Sequence, residues 1–384
     1  MEIVGIICEY NPLHLGHKKQ MDRIKADFPD AGIVCLMSGN YVQRGYPAIF
    51  DKSVRAKAAV LSGADLVLEL PLTASLSSAE GFAAEGVRIL GGFCDRLCFG
   101  AESADKESLL ATAKALLSNE FSEALRAELD KGVSFPVARQ AALEAMGIQS
   151  DTLSLPNNIL ATEYCKAILQ QEVSMEPMPI LREGSYHNTS IDPENPSATA
   201  LRTCMAGNGD WLQFVPEAAK EVLDSTETHQ LTFGEQAILY RLRTMTDEEF
   251  EALPYGREGL WRKLMHSARK HATLEEIITA TKSKRYTRTR LDRMVMCAFL
   301  GITEADISSP APYTRVLALN DRGREILKIA RQGGLFPNAG ESVDSSYQDL
   351  EYRAGQLYSL FCAQQASPYD ESERRVYYKK EQTV

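Results

Sequence analysis

The sequence predicts an α/β protein, with a Rossmann-like parallel sheet in its first half and a mainly α-helical second half. Short apolar runs alternate with helical patterns along roughly the first hundred residues. Such alternation is typical of parallel strands joined by right-handed helical crossovers. After about residue 206, helical patterns dominate and no buried strand is predicted. We therefore expect one domain over residues 1–205 and a helical domain over residues 206–384.

The apolar runs are too short for surface helices and are apolar at nearly every position, which is typical of strands buried on both faces of a sheet. In the first half they are Ile3–Ile7, Ile33–Met37, Asp65–Leu70 and Arg96–Phe99, and Pro179–Gly184 is predicted as a further strand that gives way to a loop. Helical patterns lie roughly at His17–Asp27, Asp51–Leu61 and Ala79–Leu90, with three more helices over residues 105–148. Because ligands of such sheets lie beyond the carboxyl ends of the strands, the residues that follow each strand are candidate site residues.

The composition of the chain indicates which class of protein it belongs to. The 384 residues, 44% hydrophobic and 24% charged, fit a globular protein of two domains. No apolar stretch is long enough to cross a bilayer and Met1 is followed by no basic leader, so we expect a cytoplasmic protein without membrane contact. The eight cysteines are scattered, several of them in apolar runs, which favours reduced thiols. A net charge of −10 argues against general coating of nucleic acid, so RNA binding would need a local basic patch.

The turn after the first strand is the most informative stretch. Asn11-Pro12 ends the strand, and His14-Leu15-Gly16-His17 lies where the chain turns into a helix. The N-terminus of a helix offers unpaired N–H groups and a partial positive charge, which suit a phosphate. Two imidazoles add donors, and Gly16 lets the backbone come close to a ligand. The stretch therefore predicts a triphosphate site with His14 and His17 as its catalytic residues; the plain alternative is a solvated turn with two incidental histidines.

These residues carry a resemblance to a known family. His14-Leu15-Gly16-His17 after a buried strand resembles the H-x-G-H signature of the nucleotidyltransferase superfamily, whose Rossmann-like fold it implies. The longer string Glu9–His17 is similar to the bacterial tRNA(Met) cytidine acetate ligases, and the strings at Ser38–Gly45 and Lys284–Arg290 match that family too. The resemblance implies ATP, acetate and elongator tRNA(Met) as reactants, with N4-acetylcytidine at the wobble position as product. We expect no obligate protein partner; the need for Mg²⁺ stays open, and no metal-binding residues are predicted.

The resemblance also implies which residues bind ATP. At the end of the first strand and in the turn they are Ile7, Cys8, Glu9, Tyr10, Asn11, Gly16 and Gln20. Further along the chain they are Gly100, Arg182 and one of Asn157 and Asn158, the other asparagine being free to cap a helix. Phosphates would repel the carboxylate of Glu9, so we expect it to contact the base, the ribose or the incoming cytidine amine instead. Arg202 lies near the start of a predicted helix; it is expected on the surface, with a side chain that points back to the site as the alternative.

Two cations on the second predicted helix, Lys52 and Arg55, are further candidates for phosphate binding. Ammonium and guanidinium groups both pair with phosphate oxygens. The alternative for each is a place on a solvated helix face. The family resemblance favours the binding role for both.

A basic segment in the second half predicts the contact with tRNA. Between Lys282 and Arg293 there are six cations and one acid. The six are Lys282, Lys284, Arg285, Arg288, Arg290 and Arg293. In a chain of net negative charge, this reversal of sign is what contact with an RNA backbone requires, and repeated arginines suit phosphate oxygens. The alternative is a solvated start of a helix.

The other predicted elements of the second half are helical. They lie at Glu235–Met245, Asp247–Leu253, Gly259–His271, Leu274–Thr281 and Thr289–Leu300. One more helix near Tyr347–Leu360 and a charged tail over Arg374–Lys380, of the kind that is often disordered, follow. Two other functions fit parts of the sequence: an adenylyl- or cytidylyltransferase for a small molecule, and a non-catalytic RNA-binding protein.

Overall fold

A mostly parallel sheet runs through the middle of the protein in the computed structural model, which describes residues 1–133, 135–148, 153, 155–182, 191–283, 285–333 and 345–380. The strands are β1 Ile3–Cys8, β2 Gly32–Ser38, β3 Tyr41–Val42, β4 Tyr46–Pro47, β5 Leu66–Leu70, β6 Arg96–Ala101, β7 Glu176–Leu181, β8 Val316–Asn320 and β9 Tyr377–Lys379. Within the described ranges the main sheet has seven strands in the order β7-β6-β1-β2-β5-β8-β9, and β3 and β4 form a separate hairpin. The strands predicted in the first half are confirmed.

The strand order reverses beside β1. From β1 the chain moves to β2 and β5 on one side, and then returns to β6 and β7 on the other side of β1. Both neighbours of β1 are parallel to it, with Val4 opposite Ile33 in β2 and opposite Arg96 in β6. A crevice forms at such a reversal, outside the carboxyl ends of the strands. The ends of β1 and β6 therefore mark the expected position of a ligand.

Helices cover both faces of the sheet and make up most of the second half. In the first half they are α1 Leu15–Asp27, α2 Lys52–Leu61, α3 Leu72–Ser75, α4 Ala79–Leu90, α5 Lys106–Leu116, α6 Asn119–Leu129, α7 Phe135–Ala145, α8 Pro156–Gln170 and α9 Ala198–Ala206. In the second half they are α10 Glu217–Asp224, α11 Glu235–Thr244, α12 Asp247–Glu251, α13 Leu260–Ala268, α14 Leu274–Thr281, α15 Arg288–Leu300, α16 Glu304–Ser308, α17 Asp321–Ala330 and α18 Ser345–Tyr358. The predicted helices are confirmed, with small shifts of their ends.

Alternation along β1 builds the core on both faces of the sheet. Ile3 and Ile7 pack in one apolar cluster, whereas Val4, Ile6 and Cys8 pack in the opposite one. The helices of the second half have a core of their own, which Tyr41 of the β3–β4 hairpin enters. The hairpin thus reaches from the sheet into the helical part of the protein. No helix among the described residues is long and apolar enough to span a membrane.

Two strands from the last part of the chain complete the sheet, which corrects the prediction of a second half without buried strands. β8 pairs antiparallel with β5, and β9 pairs parallel with β8. The charged tail also has a defined place, because Arg374 makes ion pairs of 2.7 Å with Asp51 and 2.8 Å with Glu371 before β9 begins. The five residues of β8 are too few to show a period, and only pairing with β5 marks them as a strand.

Candidate active site

The histidine turn has a fixed hydrogen-bond pattern. His14 is the N-cap of α1, and its Nδ1 accepts a hydrogen bond of 3.1 Å from the Gly16 N–H. The His14 N–H in turn donates to Nδ1 of His17 over 3.2 Å, and the two rings stack with centroids 3.7 Å apart. A neutral imidazole carries its hydrogen on the nitrogen that does not accept. The Nε2 atom of each ring is therefore the N–H donor offered to a ligand.

Both imidazoles are neutral at physiological pH. Burial lowers the pKa of His17 to about 3, with the positive charge of Arg182 adding to the effect. The pKa of His14 is also lowered well below its usual value, first by burial and then by His17, Arg182 and Arg202. A site in which positive charge opposes protonation of two histidines is a site that favours an anion. The neutral rings can donate to that anion, and the two arginines can balance its charge.

The position of Arg202 corrects the expectation of a surface arginine. Its Nη1 donates to the main-chain oxygen of Asn11 over 2.5 Å, and its Nη2 donates to Thr199 Oγ1 over 3.2 Å. Helix α9, whose N-cap is Ser197, brings this side chain against the histidine turn. Separation along the chain hid the contact, because Arg202 is 191 positions beyond Asn11. The only signal in the sequence was an arginine one turn into a capped helix.

Asn157 and Asn158 have different surroundings, and neither caps α8, whose N-cap is Leu155. Glu102, just after β6, accepts from Asn157 Nδ2 over 2.6 Å and from the Asn158 N–H over 2.7 Å. Asn158 is 2% exposed, and its Oδ1 accepts from the main chain after β6. Asn157 Oδ1 accepts from Arg182 Nη1 over 3.2 Å. Asn157 is thus the asparagine beside the cationic site, and Glu102 is a contact that the sequence did not indicate.

Two glycines open the crevice between β1 and β6. A Cβ atom built on Gly16 would lie 3.0 Å from the His14 ring, so a larger residue there would press on the imidazole. A Cβ atom on Gly100 would meet no atom within 4 Å among the described residues, so open space lies beside the end of β6. These positions give a ligand access to the backbone on both sides of the reversal in strand order.

The other residues predicted around the turn face the protein. Ile7 and Cys8 are each 9% exposed and Tyr10 is 1% exposed, so contact of a nucleotide with this strand end would involve the main chain. The Tyr10 backbone has a φ of 46°, in the left-handed region, and its ring meets His17 edge-on with centroids 4.8 Å apart. Gln20 Nε2 donates to the Cys98 carbonyl over 3.4 Å. Asn11 is 3% exposed, and its Oδ1 accepts from the Ile49 N–H over 2.7 Å.

Lys52 and Arg55 are buried, so neither lies on a solvated helix face. Lys52 is 3% exposed and makes ion pairs with Glu69 and Glu371, at 2.7 and 2.8 Å. Arg55 is fully buried and donates to main-chain carbonyls, including that of Glu9 over 2.6 Å. Both cations therefore already have partners inside the protein. The alternative of a solvated helix face is therefore wrong for both; the two side chains support the loops around the site, and phosphate binding by them stays a prediction.

Comparison with known proteins identifies the family. The family model described as HIGH Nucleotidyl Transferase matches residues 1–373. A tRNA(Met) cytidine acetate ligase of Clostridium acetobutylicum is 34% identical over 98% of this chain and 99% of its own length, and one of Clostridium novyi is 38% identical over 88% of this chain and 89% of its own. The chain belongs to the tRNA(Met) cytidine acetate ligase family.

Solved structures of this family agree with the fold. The apo structure of Thermotoga maritima TmcAL matches with a TM-score of 0.90 and 28% identity over 99% of this chain and all of that one. A second structure of that protein, bound with alpha-thio ATP, matches with a TM-score of 0.86. The residues of this chain fit the same kind of ligand, because neutral imidazole donors and two arginines suit a triphosphate. Within the described ranges, no group of three or more His, Cys, Asp and Glu side chains is arranged to hold a metal ion.

The basic segment lies at the start of α15, and two of its arginines face carboxylates. Arg285 pairs with Glu258 over 2.6 Å, and Arg288 makes a two-pronged contact with Glu275, with Nη1 2.6 Å from one carboxylate oxygen. The side chains of these arginines are 67% and 47% exposed. Ion pairs this exposed are weak, so an RNA phosphate can compete for either arginine.

Two other arginines of this segment contact neighbouring parts of the protein. Arg290 Nη2 donates to the Tyr255 carbonyl over 2.7 Å, and Arg293 stacks over the Tyr255 ring at 5.2 Å while its Nη1 lies 3.4 Å from the Gln43 carbonyl. Lys282 is exposed, and Lys284 lies outside the described residues. The sequence therefore predicted the charge of the segment. The structure shows that Arg285 and Arg288 are exposed, whereas Arg290 and Arg293 contact other parts of the protein.

Proposed function

We propose that this protein is a tRNA(Met) cytidine acetate ligase, which joins acetate to the N4 amine of the wobble cytidine at the expense of ATP. One observation carries the proposal: two neutral imidazoles, each with its hydrogen on Nε2, stand at the N-terminus of α1, where the charges of Arg182 and Arg202 oppose protonation. The similarity to named ligases over nearly the whole chain favours this function over transfer to a small molecule.

In the first half of the proposed reaction, acetate attacks the α-phosphorus of ATP, and pyrophosphate leaves. The oxygens around phosphorus gain negative charge in the transition state, and His14 and His17 donate hydrogen bonds to them. Arg182 and Arg202 neutralise the departing pyrophosphate. Fixed donors of this kind lower the barrier because they need no reorganisation when the charge develops. The product, acetyl-adenylate, is a mixed anhydride and needs no nucleophile from the protein.

In the second half, the cytidine N4 amine attacks the acetyl carbon, the bond to the phosphate oxygen breaks, and AMP leaves. The wobble base of an anticodon loop is unpaired, so its amine is accessible without melting a helix. Lys282, Arg285 and Arg288 at the exposed start of α15 contact the RNA backbone. Such contacts hold the tRNA in place without reading its sequence.

The test is to incubate the purified protein with ATP, labelled acetate and unmodified elongator tRNA(Met), and to digest the RNA for nucleoside analysis. The expected product is labelled N4-acetylcytidine, formed only when ATP is present. A parallel assay follows exchange of labelled pyrophosphate into ATP, which should depend on acetate. Exchange that ignores acetate but responds to a phosphorylated metabolite would instead identify a small-molecule transferase.

A further inference from the structure

Glu9 is the first residue after β1 and lies between the histidine turn and the β3–β4 hairpin. Its main-chain carbonyl accepts from Arg55 Nη1 over 2.6 Å, and its Oε1 accepts from the Gln43 N–H over 2.8 Å. Among the described residues, no donor meets its second carboxylate oxygen, Oε2. The side chain is partly exposed. One carboxylate oxygen is thus held by the hairpin, and the other can accept a hydrogen bond from a ligand.

The contact between the hairpin and α15 contains buried donors. Gln43 Nε2 and Arg293 Nε are both covered by protein, and neither has an acceptor within the described part of the chain. A buried donor without an acceptor destabilises the folded protein, so natural proteins keep few of them. Such donors are explained if a ligand supplies the acceptor, with the Gln43 side chain turning outward to meet it.

The same contact joins the exposed start of α15 to the site. Gly45, at the tip of the hairpin, has a φ of 84°, and a Cβ atom there would lie 2.3 Å from the Arg293 nitrogen. On its other side the hairpin reaches the histidine turn, since Tyr46 Oη lies 3.4 Å from Arg202 Nη2. The β3–β4 hairpin therefore connects the start of α15, where RNA is proposed to bind, with the histidine turn, where the phosphates of ATP are proposed to bind.

Glu9 and Gln43 together match the pairing edge of cytosine. Cytosine presents an N4 amine that donates and an N3 and O2 that accept, whereas uracil presents an accepting O4 in place of the amine. A carboxylate acceptor beside an amide donor complements cytosine. The same pair opposes uracil, because the carboxylate would face the O4 lone pairs.

We propose that Glu9 receives the N4 amine of the wobble cytidine and takes its proton during acetyl transfer, with Gln43 as a second contact to the base. This inference rests on the proposed function. The N4 nitrogen forms a bond to the acetyl carbon, the bond between that carbon and the phosphate oxygen breaks, AMP leaves, and one N4 hydrogen passes to Glu9 Oε2 and then to solvent. Glu9 is thereby a catalytic residue of the second half-reaction only.

The test compares the two half-reactions in Glu9→Gln, which keeps an oxygen for the Gln43 N–H but loses the base. N4-acetylcytidine formation should fall at least about 100-fold more than acetate-dependent pyrophosphate exchange, a typical loss for a general base. Glu9→Asp, which keeps a carboxylate, should recover part of the transfer rate. The binding preference for cytidine over uridine at the wobble position, measured as the ratio of the two tRNA dissociation constants, should weaken about tenfold in Glu9→Gln. Gln43→Ala, which keeps the main-chain N–H, should raise the KM for tRNA more than the KM for ATP.

Other results of these assays would overturn the inference or part of it. Equal loss of exchange and transfer in Glu9→Gln, with an unchanged thermal midpoint of unfolding, would place Glu9 in acetate activation and overturn the inference. Transfer at the wild-type rate would overturn it as well. An unchanged KM for tRNA in Gln43→Ala would remove Gln43 from the base contact. Absence of exchange and of product in the wild-type protein would instead contradict the proposed function itself.

Discussion

The sequence predicts phosphate binding both at the histidine turn and in the basic segment. In the structure, the two regions differ in how their donors are held. At the turn, His14 and His17 receive their hydrogen bonds on Nδ1 from the turn itself, which leaves the Nε2–H group of each ring as its donor. In the basic segment, Arg285 and Arg288 pair with acids from other helices. A donor fixed by its own neighbours is ready for a ligand, whereas a paired arginine must exchange one partner for another.

The sharpest way to test this difference is to remove one fixed donor. His17→Ala should lower acetate-dependent pyrophosphate exchange about 10²–10³-fold, because a single donor to a developing oxyanion has an effect of this size. Binding of tRNA should change less than about twofold, since the exposed start of α15 is untouched. His266→Ala, on the exposed face of α13, is the matched control and should behave like the wild type. Loss of tRNA binding with normal exchange would mean that the two regions have been assigned the wrong way round.

Arg202→Ala tests whether the cations at the turn act with the histidines. We expect the KM for ATP to rise about 10- to 100-fold, because a hydrogen bond to a charged group contributes about 1.5–3 kcal/mol. Titration of the protein with ATP, followed by exchange kinetics, measures the effect. Arg23→Ala removes an exposed arginine from α1, with a side chain 64% exposed, and serves as the control. An unchanged KM in Arg202→Ala would limit this residue to its contact with the Asn11 carbonyl.

The neutral state of the imidazoles predicts a dependence of stability on pH. His17 takes up a proton near pH 6.5 when unfolded but only near pH 3 when folded. The unfolded protein therefore binds more protons between these values, and the free energy of unfolding falls as the pH is lowered through that window. The slope from one such group is at most about 1.4 kcal/mol per pH unit, and less for a ring that is only partly buried. Urea unfolding from about pH 7 to pH 5 should show a shallower slope in His17→Asn; an identical slope would contradict a depressed pKa.

The smallest effects are expected in the basic segment. Arg285→Ala with Arg288→Ala should weaken tRNA binding and reduce the slope of log affinity against log salt by up to about two, without changing exchange. Glu275→Gln should do the reverse and strengthen tRNA binding by about two- to fivefold, because it releases Arg288 from an exposed ion pair. Binding curves at several salt concentrations measure both changes. Weaker binding in Glu275→Gln would show that the ion pair orders Arg288 for the RNA rather than competing with it.

The cations show why part of the site was readable from the sequence and part was not. The histidine turn was predicted because its strand, turn and helix lie within a short stretch, where spacing along the chain fixes spacing in the structure. Lys52 and Arg55 lie in an equally local pattern, but their partners include Glu371, 319 residues beyond Lys52 by position, and carbonyls of other loops. The role of Arg202 was missed for the same reason. Charge can be counted in a sequence, whereas the partner of a charge depends on the fold.

The sequence by itself determined the alternating strands and helices, the strand ends where a ligand is expected, and the pair of histidines predicted to bind it, because all of these follow from local periodicity and from one turn. Only the tertiary structure decided that β8 and β9 extend the sheet, that Arg182 and Arg202 flank the imidazoles, and that Glu9 meets the β3–β4 hairpin. These contacts join residues far apart in the chain. The stabilisation that each contact gives depends on the burial of its groups and on their partners. Both are defined only when the distant segments have packed together.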